Sequence, residues 1–471
     1  MVFIRFTKFP RTLGKSLVIL EREDRITEFV KEPKKLNEQS RYFFVFMPQQ
    51  NKSNKLLTTK ILRYLFPLLF LFVFEYIVFQ GLVLVIATCP DWLQLLIRSL
   101  YWLMPLALWF VMSRRMARRE TPLEINKGAF LFSNCLLGLY FGKMITFAVL
   151  GADMVRRIFM LIFGKITGAA ALSYPLSTTV ATLALVLGLA LAAVLIYGML
   201  RNRYRYKIHR KTVKISNLPA ALKGLKIIQL SDIHSGSFTE INPLNKAITL
   251  INKEEADLVF FTGDLVNNVA SEMQPFIPIF KKIKSKFGVF SILGNHDYGD
   301  YVLWKSTEAK LQNFNELIQT HRELGWDLLL NENRLLNIKD SSLAIIGVEN
   351  YSAKGRFSKY GDLSRAVVGT ESADVKLLLS HDPSHWSDQV LTKHKDIAIT
   401  FSGHTHGMQF GIDIPGWFQW SPVQYFYKQW AGLYQEGKQY LYVNRGFGFL
   451  GYPGRVGVLA EITVITLDNK E

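Results

Sequence analysis

The sequence predicts a bundle of apolar helices followed by an α/β domain, on three observations. Leu, Phe, Val, Ala and Ile dominate the segment from about 61 to 200, whereas 201–471 has the mixed composition of a water-exposed domain. From Leu225 onward, short apolar runs alternate with polar, helix-like stretches. Five of those runs lead directly into small groups of Asp, Asn and His, the pattern expected where ligands gather at the carboxyl ends of strands.

Residues 1–56 are polar and basic, with one apolar patch at Phe43–Met47, and lack the long apolar core of a signal peptide. They are expected to form a weakly ordered tail, and translation starting at Met47 is an alternative. The region 57–200 holds four apolar stretches, near 64–88, 92–112, 128–150 and 175–200. Each approaches the roughly 20 residues a helix needs to cross a bilayer. The last has no charged residue between Lys165 and Arg201. The piece Arg157–Lys165 is too short to span and is expected at the interface. Glu75 is costly in a membrane and calls either for a partner, Lys143 or Arg98, or for a transport role. Gly138 and Gly142 form a small-xxx-small pair suited to close helix packing.

Lys and Arg placement sets the expected orientation. Basic residues precede the first stretch (Lys52, Lys55, Lys60, Arg63), follow the second (Arg114, Arg115, Arg118, Arg119) and crowd the run Arg201–Lys211. Arg156, Arg157 and Lys165 argue the other way. The balance places both ends, and the α/β domain, on the cytoplasmic side of a cell inner membrane or plasma membrane. The formal net charge of +18 is then accounted for by lipid headgroups, so no nucleic-acid partner is expected. The segment 201–223 reads as a basic juxtamembrane linker.

In 224–471 the runs LKIIQL (225–230), DLVFF (257–261), GVFSIL (288–293), KLLLS (376–380) and IAITFS (397–402) read as strands. A helix is expected near Pro243–Asn252 and another helix-like stretch over 272–285. The strand exits carry Asp232 and His234, then Asp264, then Asn295, His296 and Asp297, then His381, then His404 and His406. Both cysteines, Cys89 and Cys135, lie in the apolar half, so a metal site here must use N and O ligands. Imidazole, carboxylate and amide oxygen together suit Mn, Fe or Zn better than Ca. Seven ligands (Asp232, His234, Asp264, Asn295, His381, His404 and His406) exceed the four of a structural zinc, so two divalent ions sharing a carboxylate would use them fully. Gly263 and Gly294 sit at sharp strand exits, where lack of a Cβ permits close approach.

Those blocks, D-x-H (232–234), G-D (263–264), G-N-H-D (294–297), His381 and G-H-T-H (403–406), resemble the calcineurin-like metallophosphoesterase superfamily. The lead-in LPAALKGLKIIQLSDIH and the tail AGLYQEGKQYLYVNRGFGFLGYPGRVGVLAEITVITL resemble its membrane-associated, YkuE-like branch. The resemblance covers about 224–470. It implies an α/β/β/α sandwich and hydrolysis of a phosphate ester or phosphoanhydride. It further implies one metal site of Asp232, His234, Asp264 and His406, and another of Asp264, Asn295, His381 and His404. His296 is implied as the group that steadies the phosphoryl and protonates the leaving oxygen. Asp297 is then a candidate to orient His296, or else a plain loop cap. Relatives in the wider group hydrolyse UDP-diacylglucosamine. A lipid-linked phosphate substrate is expected from location alone, because a bilayer would concentrate it beside the site; a soluble nucleotide or phosphodiester, and a metal-stabilised membrane sensor, are the alternatives. Arg445 and Arg455 are expected at the surface in salt bridges, or gripping phosphate. His209, His321, His385 and His394 are expected as surface or packing residues. The aromatic segment Ile414–Tyr434 is expected either in the core or as a lip at the lipid interface.

Overall fold

The computed structural model describes residues 52–118, 127–167, 175–355, 357–414 and 416–470. The chain divides into two units, 1–69 and 70–471. The first contributes only the opening of one helix to the described residues, so the tail expected over 1–56 lies outside them up to residue 51, and 52–56 belong instead to that helix.

Four long helices are present among the described residues: α1 (Lys52–Val85), α2 (Asp91–Arg118), α3 (Lys127–Thr167) and α4 (Thr178–Tyr197). All four are long and apolar enough to cross a membrane. The piece Arg157–Lys165 is not separate from the third stretch but continues α3. No Pro or Gly interrupts that helix between Asp153 and Phe163, and Asp153 pairs with Arg156 and Arg157 one turn on. Gly142 lies at the crossing of α3 and α4, where a Cβ would press on Ala192 at 3.0 Å and on the Gly188 backbone. Glu75 of α1 is 2% exposed. Of its two expected partners it meets Lys143 of α3, at 2.8 Å, and it also accepts a hydrogen bond from Tyr101 of α2 at 2.6 Å. Arg98 instead bonds Gln94.

The basic segment 201–223 contains a strand, β1 (Tyr206–Ile215), rather than a free linker. It pairs in parallel with the final strand and forms the edge of a sheet, which is why its outer positions can carry charge. Among the described residues thirteen more strands follow: β2 (Lys226–Leu230), β3 (Leu258–Thr262), β4 (Val289–Ile292), β5 (Asp327–Leu328), β6 (Glu332–Ile338), β7 (Ser341–Gly347), β8 (Val375–Leu379), β9 (Ile397–Ser402), β10 (Ile412–Ile414), β11 (Phe418–Trp420), β12 (Gly432–Glu436), β13 (Gln439–Val443) and β14 (Ala460–Asn469). One sheet has the order β1-β14-β2-β3-β4-β5, the other β12-β13-β9-β8-β7-β6, and β10-β11 form a separate hairpin.

The two sheets pack face to face, and helices cover their outer sides. Alternate residues of each central strand face opposite layers. Ile227, Leu258, Phe260, Leu377, Leu379, Ile399 and Phe401 share the core between the sheets. Ile228, Val259 and Phe261 face an outer core with Leu244, Ile248 and Ile251 of helix α5 (Asn242–Lys253). Leu378, Leu441 and Val443 pack on the opposite outer side with Trp386 and Leu363. This is the α/β/β/α sandwich. Strands β2, β3 and β4 are mutually parallel, as are β8, β9 and β13, so their carboxyl ends open on one edge. The stretch 272–285 is largely a 3-10 turn run with a single short helix, Ile277–Phe280, because Pro275 and Pro278 break the ladder.

Lys143→Met strands a buried carboxylate and should lower stability by about 3–5 kcal/mol, whereas Lys143→Met with Glu75→Gln should recover most of it. Thermal unfolding of the purified chain in detergent reads this directly. A double variant no more stable than the single one contradicts the pairing.

Candidate metal centre

Each candidate ligand sits immediately beyond a strand that is buried on both faces, so its backbone is held by neighbouring strand ends. Asp232 N donates to Gly263 O, His234 N to Asp264 O, and Gly403 N to His381 O. The chain turns sharply there. Asp232, His234, Asp264, His404 and His406 all have φ between 48° and 70°. Such left-handed backbone costs about 1–3 kcal/mol per non-glycine residue and concentrates where function demands it. Gly403 is required for close approach: a Cβ would strike Ser231 Oγ and the Asp232 carboxylate.

The side chains converge in two buried groups, Asp232–His234–His406 and Asp264–His381–His404, each able to hold a cation. In the first, His234 Nε2 and His406 Nε2 are 3.0 Å apart, and His406 Nε2 is 3.2 Å from Asp232 Oδ1. In the second, His404 Nδ1 and His381 Nε2 are 3.2 Å apart. Two nitrogens bound to one Zn²⁺-like ion at about 2.1 Å would lie roughly 3.4 Å apart in a tetrahedron, close to both spacings. Asp264 joins the groups, since its Oδ2 is 3.5 Å from His234 Nε2 and 3.2 Å from His381 Nε2. The buried Asn295 Oδ1 has no hydrogen-bond partner, while its amide nitrogen donates to Tyr301 at 2.9 Å. A buried amide oxygen left bare is suited to a cation. The residues present therefore fit a pair of divalent ions.

The electrostatics of the ligands divide: burial opposes charge on His381, yet the facing Asp264 carboxylate pushes it up to about 10, so this ring must release a proton to ligate. Burial opposes charge on Asp232 and Asp264, yet the facing imidazoles hold both carboxyls below the ordinary range. Burial pulls His234 down to about 3, so this ring is neutral, the form that ligates.

Asp297 does not orient His296, contrary to one of its two sequence readings. Its carboxylate accepts from the backbone N–H groups of Asp264, Leu265, Val266 and Gly294 at 2.8–3.3 Å. It thus fixes the loop that carries Asp264. Burial, then the Asp264 charge, push Asp297 up to about 7, against the pull of those N–H donors. His296 is positioned by the Asn267 carbonyl, 2.7 Å from its Nδ1. A carbonyl only accepts, so Nδ1 carries the proton and Nε2 is left for chemistry. His296 is partly exposed beside the His234 ring.

The structure gives site roles that the sequence did not assign. Tyr427 OH lies 2.9 Å from His404 Nε2 and donates to Asp382 Oδ2 at 3.1 Å, a hydroxyl bridge that sets the His404 ring. His381 Nδ1 donates to Thr262 O at 2.7 Å. The aromatic segment divides, with Tyr427 and Trp430 buried and Trp417, Phe418, Tyr425 and Phe426 exposed. Arg445 and Arg455 are neither surface bridges nor phosphate clamps. Both are buried: Arg445 pairs with Glu461 and Asp413, and Arg455 donates to the carbonyls of Gly446 and Gly448. His321 and His385 are fully buried packing residues, bonded to Ser291 and Ser380.

Asp297→Asn would set an amide N–H₂ against backbone N–H donors. Metal affinity should fall about 10–100-fold, as for other groups that support ligands. Mn²⁺ titration of the full chain measures it, and unchanged affinity would show that the loop holds without this carboxylate.

Residues 225–408 match the family described as calcineurin-like phosphoesterase. The chain is 32% identical over 263 residues to the metallophosphoesterase YkuE of Bacillus subtilis (strain 168), covering 55% of this chain and 84% of that one. It is 31% identical over 286 residues to the Campylobacter jejuni metallophosphoesterase Cj0846, covering 60% and 69%. It is 27% identical over 339 residues to a Danio rerio transmembrane protein with a metallophosphoesterase domain, covering 69% and 73%. The chain belongs to the calcineurin-like metallophosphoesterases, and it is a metal-dependent hydrolase whose sandwich domain follows four apolar helices.

Proposed function

We propose that this chain is a membrane-anchored phosphohydrolase that holds two divalent cations and cleaves a phosphate ester or phosphoanhydride of a lipid-linked or membrane-proximal substrate. The observation that carries this reading is the placement of one carboxylate oxygen, Asp264 Oδ2, within 3.5 Å of an imidazole from each ligand group. One ion would take Asp232, His234, Asp264 and His406, the other Asp264, Asn295, His381 and His404. The mix of imidazole, carboxylate and amide oxygen favours Mn, Fe or Zn. Such ions, when bound, would withdraw charge from phosphoryl oxygens and lower the pKa of an attacking water.

The chain's own residues do the remaining work. Asp297 and Tyr427 hold the ligands at fixed angles, which removes reorganisation from the reaction. His296 faces the same space with Nε2 free, because its Nδ1–H is committed to Asn267 O. When Nε2 is protonated as well, the imidazolium can steady the phosphoryl group and give the Nε2 proton to the departing oxygen. Water supplies the oxygen of the new P–O bond, and the P–O bond to the ester or anhydride oxygen breaks. That oxygen leaves with the Nε2 proton, and the proton lost by water returns the ring to its starting form.

The cytoplasmic side of a cell inner membrane or plasma membrane is the proposed location, on the strength of the basic run after α4. Membrane lipids are then neighbours, and a bilayer concentrates lipid-linked phosphate beside the site. Nucleic acid is not an expected partner.

His296→Ala should retain both metals while turnover falls about 10²–10⁴-fold, the usual worth of a positioned proton donor. The assay is hydrolysis of bis-p-nitrophenyl phosphate, lipid phosphates and UDP-diacylglucosamine by the metal-reconstituted full chain, with metal content measured alongside. Unchanged turnover removes His296 from the mechanism. A metal-loaded chain that hydrolyses none of these favours a sensing role instead.

A further inference from the structure

The β10–β11 hairpin has its polarity inverted relative to a water-facing hairpin. Its register pairs Ile412 with Trp420 and Ile414 with Phe418, so these four side chains share one face. Asp413, between the isoleucines, points to the other face. It is pinned there by Arg445, 3.1 Å away, and accepts from Gln419 at 2.7 Å. The apolar face is left open. Ile412 is 44% exposed, Ile414 43%, Phe418 46%, and Trp417 at the tip 81%. Tyr425 and Phe426 stand exposed just beyond it. Contiguous apolar groups of this kind mark an interaction surface rather than a random exposure.

The occupant follows from what the hairpin is attached to. Phe410 bridges to Val456, and Gly411 N donates to Val456 O at 2.9 Å. The same strap is bonded to the end of α4, through Arg455 N to Gly198 O and Tyr452 OH to Leu195 O. The hairpin thus grows from the point where the span Thr178–Asn202 ends. Where the span meets Val456 and Gly457 lies a cavity of about 530 Å³ lined by those two residues with Ala193, Val194, Tyr197 and Asn202. Four of those residues belong to that span, and the buried Asn202 Oδ1 has no hydrogen-bond partner. Apolar walls with one bare acceptor suit an amphiphile, an acyl chain with a nearby hydroxyl or amide. Arg455, next to the cavity residue Val456, donates to Gly446 O, and a Cβ on Gly446 would touch His406 Nδ1 at 2.9 Å, so the same segment reaches the ligand groups.

We propose that the β10–β11 hairpin lies in the lipid headgroup region and, with the cavity beside α4, receives the apolar tail of the phosphate substrate. Arg445 acquires a reason in this account, since it holds Asp413 inward and so turns the isoleucines and aromatics outward. The substrate class is a phosphate ester or anhydride carrying a long alkyl or acyl chain. That assignment rests on the phosphohydrolase reading; the contact with lipid does not.

Two measurements on the full chain in nanodiscs test it separately. With brominated phosphatidylcholine, Trp417→Ala should remove a quenched component of the tryptophan emission; equal fractional quenching in both proteins overturns insertion. For catalysis, hexadecyl p-nitrophenyl phosphate is compared with methyl p-nitrophenyl phosphate, which shares its leaving group. The wild type should prefer the long ester by at least about ten-fold in kcat/KM, equivalent to burying roughly two methylenes. Trp417→Ala with Phe418→Ala, and separately Val194→Trp to fill the cavity, should erase that preference and leave the methyl ester within about two-fold. A preference that survives in both variants, or methyl-ester turnover falling in step with the long ester, overturns the tail site. A chain that hydrolyses neither ester sinks the phosphohydrolase reading instead, and the quenching result still decides the lipid contact.

Discussion

Asp264 stands between two sets of imidazoles that would otherwise have no reason to face one another. Its Oδ2 reaches His234 from the first sheet and His381 from the second, and its Oδ1 accepts from His296 N at 2.9 Å. Keeping that carboxylate in place demands a left-handed backbone at a residue that disfavours it. The Asp297 carboxylate supports the turn from behind through four backbone N–H groups, and Gly263 and Gly294 allow the two loops to touch. Strain collected at five ligand positions is tolerable because the strands that lead into them are buried on both faces. The sandwich core therefore sets the precision of the site.

The sequence made the site more legible than its supports. Ligands follow directly on apolar strands, so their identity and order could be read without a structure. Roles set by the fold could not. Asp297 adjoins His296 in sequence, which suggested a pair, but the turn sends its carboxylate back toward the backbone at 264–266. Tyr427 lies far along the chain from His404, inside a segment where aromatics of opposite fates alternate. Arg445 and Arg455 looked like surface charge. Burial is affordable for them because Glu461, Asp413 and several carbonyls complete their hydrogen bonds.

Charge does not mark the end of structure in this chain. Basic side chains on β1 marked an edge strand, and Arg156 and Arg157 were absorbed by α3 through Asp153. In the apolar half, Glu75 was recognised as needing a partner, and the choice of Lys143 came from the approach of α3. The same junction between α4 and the strap 452–457 links the apolar helices to the loops around the ligands. Position in the membrane and access to the site are thereby one structural problem.

The sharing of Asp264 by two cations is tested most directly by electron paramagnetic resonance of the full chain loaded with Mn²⁺. Two ions bridged by one carboxylate sit about 3.5–4 Å apart and couple magnetically, so the account predicts an exchange-coupled, multi-line spectrum. A plain six-line spectrum of isolated Mn²⁺ at full loading would contradict it.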